Sequence, residues 1–132
     1  MSLNKQEWEN SKKFINGVTE KTIRGTAIQI FSEIIKQSPV KTGRFRGNWQ
    51  TTLQKPATGV VQGAADSAAS AIGEVINTTK QYKVGQTLFM TNNLPYAYAL
   101  SQGSSKQRGR GWIERIIMGF QKTIDREAKK NK

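Results

Sequence analysis

The sequence predicts an α+β fold, in which a long N-terminal helix and a C-terminal helix pack on a small, mainly antiparallel sheet. Apolar residues recur at helical spacing near both ends of the chain, and two short stretches with the composition of strands lie between them. The 132 residues suit a single domain, residues 1–132, because no internal repeat or linker divides them.

The N-terminal helix is expected to begin near Asn4 and Glu7, which resemble a capping box. Gly17 and Gly25 each cost about 1 kcal/mol relative to Ala in a helix interior, so we expect a bend or fraying before Thr19. One apolar face marks the second half of this helix and comprises Ile23, Ala27, Ile30, Phe31, Ile34 and Ile35.

A helix break and a strand follow. Pro39 lacks a backbone N–H and its ring displaces Ser38 from the α region, so the helix should end there, and Gly43 permits a tight turn. From Phe45 to Leu53, alternate residues are apolar or small on one side and polar on the other. This alternation predicts a half-buried strand, and the Pro- and Gly-containing residues 55–63 predict a loop.

The middle of the chain predicts a short helix and a second strand. Asp66 suits the N-cap of a helix that runs to Thr79 and carries an alanine-rich apolar stripe. The segment TLFMTN, residues 87–92, is short and apolar and lies between turn residues, as is typical of a strand.

The last third predicts two helices joined by a polar loop. Pro95 suits the first turn of a helix that continues to about Gln102. Residues 103–111, GSSKQRGRG, contain no apolar side chain and are expected to form a mobile loop. The C-terminal helix is indicated by Trp112, Ile113, Ile116, Ile117, Phe120 and Ile124, and residues 126–132 are expected to be a frayed basic tail.

The composition argues against an enzyme and against a cofactor or metal site. The chain has no cysteine and no histidine, which removes disulfides, thiol catalysis, the usual zinc ligands and the commonest general base. Ser104 and Ser105 have no plausible activating partner, and the nine carboxylates lie mostly near Lys or Arg in helix-forming sequence. We also expect no membrane span, because no run of about 18 apolar residues exists, and no secretory signal, because the N-terminus MSLNKQEWEN has no apolar h-region. These absences favour a cytoplasmic location.

The net charge of +12 is the compositional outlier. Residues 103–132 hold nine basic and three acidic side chains, and therefore half of the excess. Such a bias favours attraction to nucleic acid or to an acidic protein surface, without choosing between them.

Two segments together resemble a known family. SPVKTGRFRGNW at 38–49 and TNNLPYAYALSQGSSKQRGRGW at 91–112 are similar to the two signatures of the bacteriophage tail-completion family, the small minor tail or neck proteins of long-tailed phages and prophages. In that family a helix leads into a Pro-Val-x-Thr-Gly-Arg turn. An Asn-x-x-x-Tyr-Ala segment, a glycine and a polar basic loop then precede the last helix. The resemblance spans residues near 20 to 125, and it departs from the family at Lys41 and Gln102, where acidic residues are common.

The resemblance implies a structural virion protein that joins a ring at the head-tail junction or tail end and performs no catalysis. Its partners would be copies of itself, often six in such a ring, and other phage neck and tail proteins, with DNA only passing through the channel. The ring would form from head-to-tail contacts that close by rotation, and a monomer in solution is compatible with it. The implied locations are the virion and, during assembly, the host cytoplasm.

Several basic and aromatic residues lie in or beside the two signature segments and are candidates for interaction. The basic ones pair with carboxylates of a neighbouring subunit or with DNA phosphates, or else form a solvated surface. The aromatic ones either anchor an interface or belong to the core, whereas for Trp49 the core is favoured. The candidates are Arg44, Arg46, Tyr96, Lys106, Arg108, Arg110 and Trp112.

The alternative function is a basic nucleic-acid-binding module that uses residues 103–132 as its electrostatic footprint. Against it, the sequence contains no recognition-helix pattern, no zinc motif and no RNP-like aromatic stretch. The polar loop also lacks interleaved aromatic residues on which bases could stack.

Overall fold

A computed structural model describes residues 5–39, 44–62, 67–101 and 109–130, with side chains from Thr19 onward except those of Ser101 and Gln121. Helices and a two-stranded sheet alternate along this part of the chain, which confirms the predicted α+β class. In chain order the elements are α1 (Lys5–Gln37), α2 (Arg44–Gly47), β1 (Gln50–Leu53), α3 (Ala68–Lys80), β2 (Leu88–Thr91), α4 (Ala97–Ser101), α5 (Trp112–Met118) and α6 (Phe120–Lys130).

Helix α1 is the longest helix in the described part of the chain. It is continuous over 33 residues and passes through Gly17, where we anticipated a bend or fraying. It ends as Pro39 predicts, since the N–H of Ser38 donates to Ile35 O at 3.2 Å and the Ser38 hydroxyl to Ile34 O at 2.7 Å. The predicted apolar face of α1 packs into the core, because α1 contributes buried residues to both parts of it.

The strand predicted from Phe45 is wrong in its first half. Residues Arg44–Gly47 form the short helix α2, and β1 begins only at Gln50. Within this turn the N–H of Asn48 donates to Phe45 O at 3.2 Å, and the Asn48 side-chain amide donates to Arg44 O at 2.9 Å. Such local hydrogen bonds compete with a strand ladder, and here they outweigh the alternating pattern.

Strands β1 and β2 pair antiparallel, with Gln50 opposite Thr91 and Leu53 opposite Leu88. Helix α3 covers the outer edge of β1. The Glu74 carboxylate accepts from the backbone N–H of Thr51 at 2.6 Å, and the Thr78 hydroxyl donates to Thr51 O at 3.3 Å. The sheet can therefore pair with a further strand only on its β2 side.

Helix α3 begins one residue later than predicted. Its N-cap is Ser67, whose hydroxyl accepts from the N–H of Ser70 at 3.1 Å, and the predicted cap, Asp66, lies outside the described residues. The alanine-rich stripe packs as expected, because Ala71 and Val75 are buried against Ile35 of α1.

The core has two adjoining parts. The smaller consists of Ile35, Ala71 and Val75, and Phe31, Trp49 and Met90 pack against both parts. Trp49, favoured for the core, is half-buried, and its indole N–H donates to the Ser38 hydroxyl at 2.8 Å. The larger part consists of Ile30, Ile34, Phe45, Leu94, Ala97 and Trp112.

The predicted C-terminal helix is divided at Gly119 into α5 and α6. Helix α6 continues to Lys130, so residues 126–130, predicted to be frayed, are helical. Most of the predicted mobile loop, residues 103–108, lies outside the described residues, as does Gln102 at the predicted end of α4. No helix of the described part is long and apolar enough to span a bilayer.

Candidate interaction surface

The two signature segments meet in space. The side-chain amide of Asn92 donates to Phe45 O at 2.9 Å, which ties the start of the second segment to the turn of the first. Phe45 also shares one core cluster with Leu94, Ala97 and Trp112. The described residues of the two segments therefore form one structural unit across a wide separation in sequence, whereas residues 40–43, with the turn predicted at Gly43, and residues 102–108 lie outside the described part.

Arg46 belongs to this unit through contacts within the molecule. Its guanidinium donates to Ser38 O at 2.8 and 3.3 Å and to Lys36 O at 2.8 Å. These carbonyls lie at the C-terminal end of α1, where a positive charge is favourable to the helix dipole. Arg46, a candidate for contact with a partner, thus caps α1.

The two aromatic candidates differ. Trp112 is only 2% exposed and its indole N–H donates to Leu100 O at 2.9 Å, so it is a core residue. Tyr96 is 41% exposed and keeps its candidacy as a surface residue. Tyr98, which was not among the predicted candidates, is 77% exposed on α4. The sequence signal for Tyr98 was its position two residues after Tyr96. Residues two positions apart in a helix point in different directions, so the two tyrosines cannot both face the core.

The remaining basic candidates lie at the surface or outside the described residues. Arg44 and Arg110 are exposed, and Arg110 O accepts from the Arg115 guanidinium at 3.0 Å. Lys106 and Arg108 lie outside the described residues. The structure thus places Arg44, Tyr96 and Arg110 where a partner could reach them.

Apolar side chains are exposed where α5 meets α6. Ile117 is 50%, Met118 79% and Phe120 40% exposed, and we call these three residues the α5–α6 corner. The apolar repeat of residues 112–124 predicted one helix face, but the helix is interrupted at Gly119 and only part of the repeat packs against the core. Contiguous exposed apolar side chains mark interaction sites more often than isolated ones do.

An apolar groove of about 590 Å³ adjoins this corner. It lies between the middle of α1, the start of β2 and α6, and Phe120 belongs to both the corner and the groove. Its other apolar lining residues include Ile23, Ala27, Phe31, Leu88 and Ile124. Phe120 is thus the residue through which the corner adjoins the groove.

A second groove has a different chemistry. It has a volume of about 690 Å³ and lies between the C-terminal half of α1, α3 and the α5–α6 pair. Half-buried isoleucines line it, and the exposed side chains of Lys36, Arg115 and Arg126 surround them together with Glu33. We call this site the basic groove.

The described residues contain no group of three or more Asp or Glu side chains that could hold a metal ion. Glu127 is buried, but it accepts hydrogen bonds from the Gln29 amide and the Lys130 ammonium, so it joins α6 to α1.

Comparison of the chain with family models, curated proteins and solved structures gave no match. The function is therefore inferred from the residues of the chain itself.

Proposed function

We propose that this protein is a structural virion component of a tailed phage or prophage, which forms or completes a ring at the head-tail junction or at the tail end. Its partners are copies of itself and adjoining neck and tail proteins. DNA passes through the channel of the ring without being read. The chain acts as a building block and not as an enzyme.

The observation that carries this proposal is the meeting of the two segments that resemble the tail-completion signatures. Asn92 and Ala97 match the family's Asn-x-x-x-Tyr-Ala segment, and Asn92 holds the carbonyl of Phe45, which follows the matching Thr-Gly-Arg turn. Two motifs that occur together for a structural reason should contact each other. Their mutual contact supports the interpretation that the two segments act together in one fold. It argues against a chance similarity of two short stretches.

The exposed apolar surface supports assembly with other chains. A ring built from head-to-tail contacts needs two different patches on each subunit. The α5–α6 corner with its groove offers one, and the exposed side chains of Tyr96 and Tyr98 on another part of the chain offer a second. Exposed aromatic and long apolar side chains are the usual anchors of protein interfaces.

The proposal is tested by deleting the gene in a host that carries the phage or prophage. Deletion should leave heads and tails unjoined or tails incomplete in electron micrographs, and expression of the intact chain in trans should restore infectious particles. Mass spectrometry of purified wild-type particles should detect the protein. Infectious particles from the deletion strain, or wild-type particles that lack the protein, would overturn the proposal.

A further inference from the structure

We infer that the basic groove is the docking site for an acidic amphipathic helix of a different protein. The inference rests on the proposed function, within which this helix belongs to an adjoining neck or tail component. It adds the surface on this chain and the chemistry of the partner.

The apolar part of the groove fits the apolar face of a helix. Ile72 and Ile76 of α3 stand one turn apart, and Ile28 of α1 and Ile116 of α5 line the same space. All four are half-buried, so part of their apolar surface still faces solvent. Recognition of a helix in a groove uses apolar anchors spaced by three or four residues, which such a surface accommodates.

The charged part of the groove favours a partner with negative charge. Lys36, Arg115 and Arg126 line the groove, and Glu33 is the one carboxylate among its described lining residues. The salt bridges seen among the described residues join Arg24 to Glu20 and Lys130 to Glu127, and neither uses a cation of the groove. The groove thus carries an excess of positive charge that acidic side chains would complement.

Neutral groups hold the two arginines in place. The Arg115 guanidinium donates to Arg110 O at 3.0 Å, and the Arg126 guanidinium donates to the Gln29 side-chain oxygen. Each guanidinium has five N–H donors, so these bonds orient it and leave donors for a carboxylate. Glu33 accepts from the Gln37 amide at 2.6 Å, which engages the carboxylate with a neutral donor on its own helix.

A second copy of this chain does not supply the acidic helix. The longest stretch without Lys or Arg, residues 56–79, holds only Asp66 and Glu74, and Glu74 is bonded to the backbone of Thr51. Elsewhere the carboxylates are interspersed with basic residues in a chain of net charge +12. Nucleic acid would satisfy the cations but leave the isoleucines without a partner, because phosphate contacts are polar.

The first test measures peptide binding by fluorescence anisotropy. The probe is a labelled synthetic peptide of about 18 residues, long enough to form a helix, with Leu at i, i+4 and i+7 and Glu at its exposed positions. One control peptide replaces each Glu by Gln and another replaces each Leu by Ser. At about 0.15 M salt, where surface charges are screened beyond roughly 8 Å, both controls should bind about tenfold more weakly than the probe.

Matched charge reversals then locate the site. Arg115→Glu with Arg126→Glu alters the groove, whereas Lys55→Glu with Lys83→Glu alters exposed residues outside it. Each substitution lowers the net charge by two, so both double variants fall from +12 to +8. The groove variant should weaken probe binding about tenfold and the control variant less than about twofold, with thermal unfolding showing that both are folded.

Three outcomes would overturn the inference: equal losses in the two double variants, equal binding of the Ser peptide, or no binding of the probe. Tighter binding of a duplex DNA that only the groove variant loses would assign the groove to nucleic acid instead. Purified particles separate this result from the proposed function. If particles contain the protein but the probe does not bind, only the groove assignment fails, whereas particles without the protein reject the virion role whatever the peptide does.

Discussion

Asn48 shows how one buried amide directs the chain through the first signature segment. Its side chain is fully buried, and its amide donates to Arg44 O at 2.9 Å while its oxygen accepts from the N–H of Val61 at 2.7 Å. The first bond closes the turn of α2 and the second anchors the loop that follows β1. The side chain thereby satisfies two backbone groups that neither a helix nor a strand would satisfy.

Replacing Asn48 by Ala should lower the free energy of unfolding by about 2 to 3 kcal/mol, because it leaves buried backbone groups without partners. Urea denaturation followed by circular dichroism measures the change. Gln50→Ala is the control, since its amide bond to Gly59 O is exposed, and it should cost less than about 1 kcal/mol. Equal costs for the two variants would contradict the role of Asn48.

Arg46→Ala should destabilise the protein by about 1 to 2 kcal/mol, because the carbonyls at the end of α1 lose their charged donor. Arg110→Ala is the matched control and should change the free energy of unfolding by less than about 0.5 kcal/mol, since Arg110 is an exposed residue of the same basic group. Both changes are read from urea denaturation. A neutral Arg46→Ala variant would show that the guanidinium does not cap α1.

The roles of Arg46 and Trp112 could not be predicted from the sequence. Both bind backbone carbonyls, of Ser38 and Leu100 respectively, and a carbonyl is present at every position regardless of residue type. The sequence identified the segments in which these residues matter. It could not show whether they face a partner or the molecule's own backbone.

At the scale of elements, Glu127 of α6 approaches α1 closely at Gly25. A Cβ atom built on this glycine would lie 2.7 Å from Glu127 Cδ, closer than atoms pack. Glu127 is held there by hydrogen bonds from Gln29 and Lys130. A side chain at position 25 would therefore displace the Glu127 carboxylate from these hydrogen bonds.

A double-mutant cycle tests this contact. Gly25→Ala should destabilise the intact chain by about 1 to 3 kcal/mol through overpacking, although Ala is the better helix former. In a Glu127→Ala background the same change should stabilise the protein by up to about 1 kcal/mol, because only the helix propensity remains. Thermal or urea unfolding gives both values, and an effect of the same sign in both backgrounds would contradict the packing.

Periodicity predicted the elements whose pattern extends over many residues. The apolar faces of α1 and α3 and the short apolar run of β2 were predicted close to their observed bounds. The predictions failed at α2, where Asn48 and Arg46 favour a turn, and at Gly119, which divides the C-terminal helix. In each case a few hydrogen bonds or one residue decide the outcome, and a pattern averaged over a long window does not register them.

For the whole molecule, the α5–α6 corner allows the proposed assembly to be tested without a change in the stability of the chain. Met118→Asp should change the free energy of unfolding by less than about 0.5 kcal/mol, because Met118 is 79% exposed. In the particle the same change should prevent incorporation, since an interface core does not accept an unpaired carboxylate. Complementation of the deletion strain and mass spectrometry of particles provide the readout.

Val84→Asp is the control for this prediction. Val84 is an exposed apolar residue, 38% accessible, outside the corner, and its replacement should leave incorporation unchanged. If Met118→Asp also entered particles at the wild-type level, the corner would not be a contact surface.

The salt dependence of duplex DNA binding separates the virion role from the nucleic-acid-binding alternative, which the net charge of +12 leaves open. Under the proposed function, binding to duplex DNA should be weak and fall steeply with salt, so that little remains at about 0.15 M. Replacing Arg108 and Arg110 by Gln should then have only the small effect of removing two charges. A complex that persists at this salt concentration and is abolished by the two substitutions would favour the nucleic-acid-binding module.

Glu74 and Thr78 cover the outer edge of β1, and this limits how copies of the protein can associate at high concentration. Backbone pairing between two copies can use only the β2 side of each sheet, so a pair joined in this way has no remaining site for a third. A fibre that grows by strand addition needs a receptive edge at both ends of every unit. One carboxylate and one hydroxyl therefore limit this route to aggregation between copies of the chain.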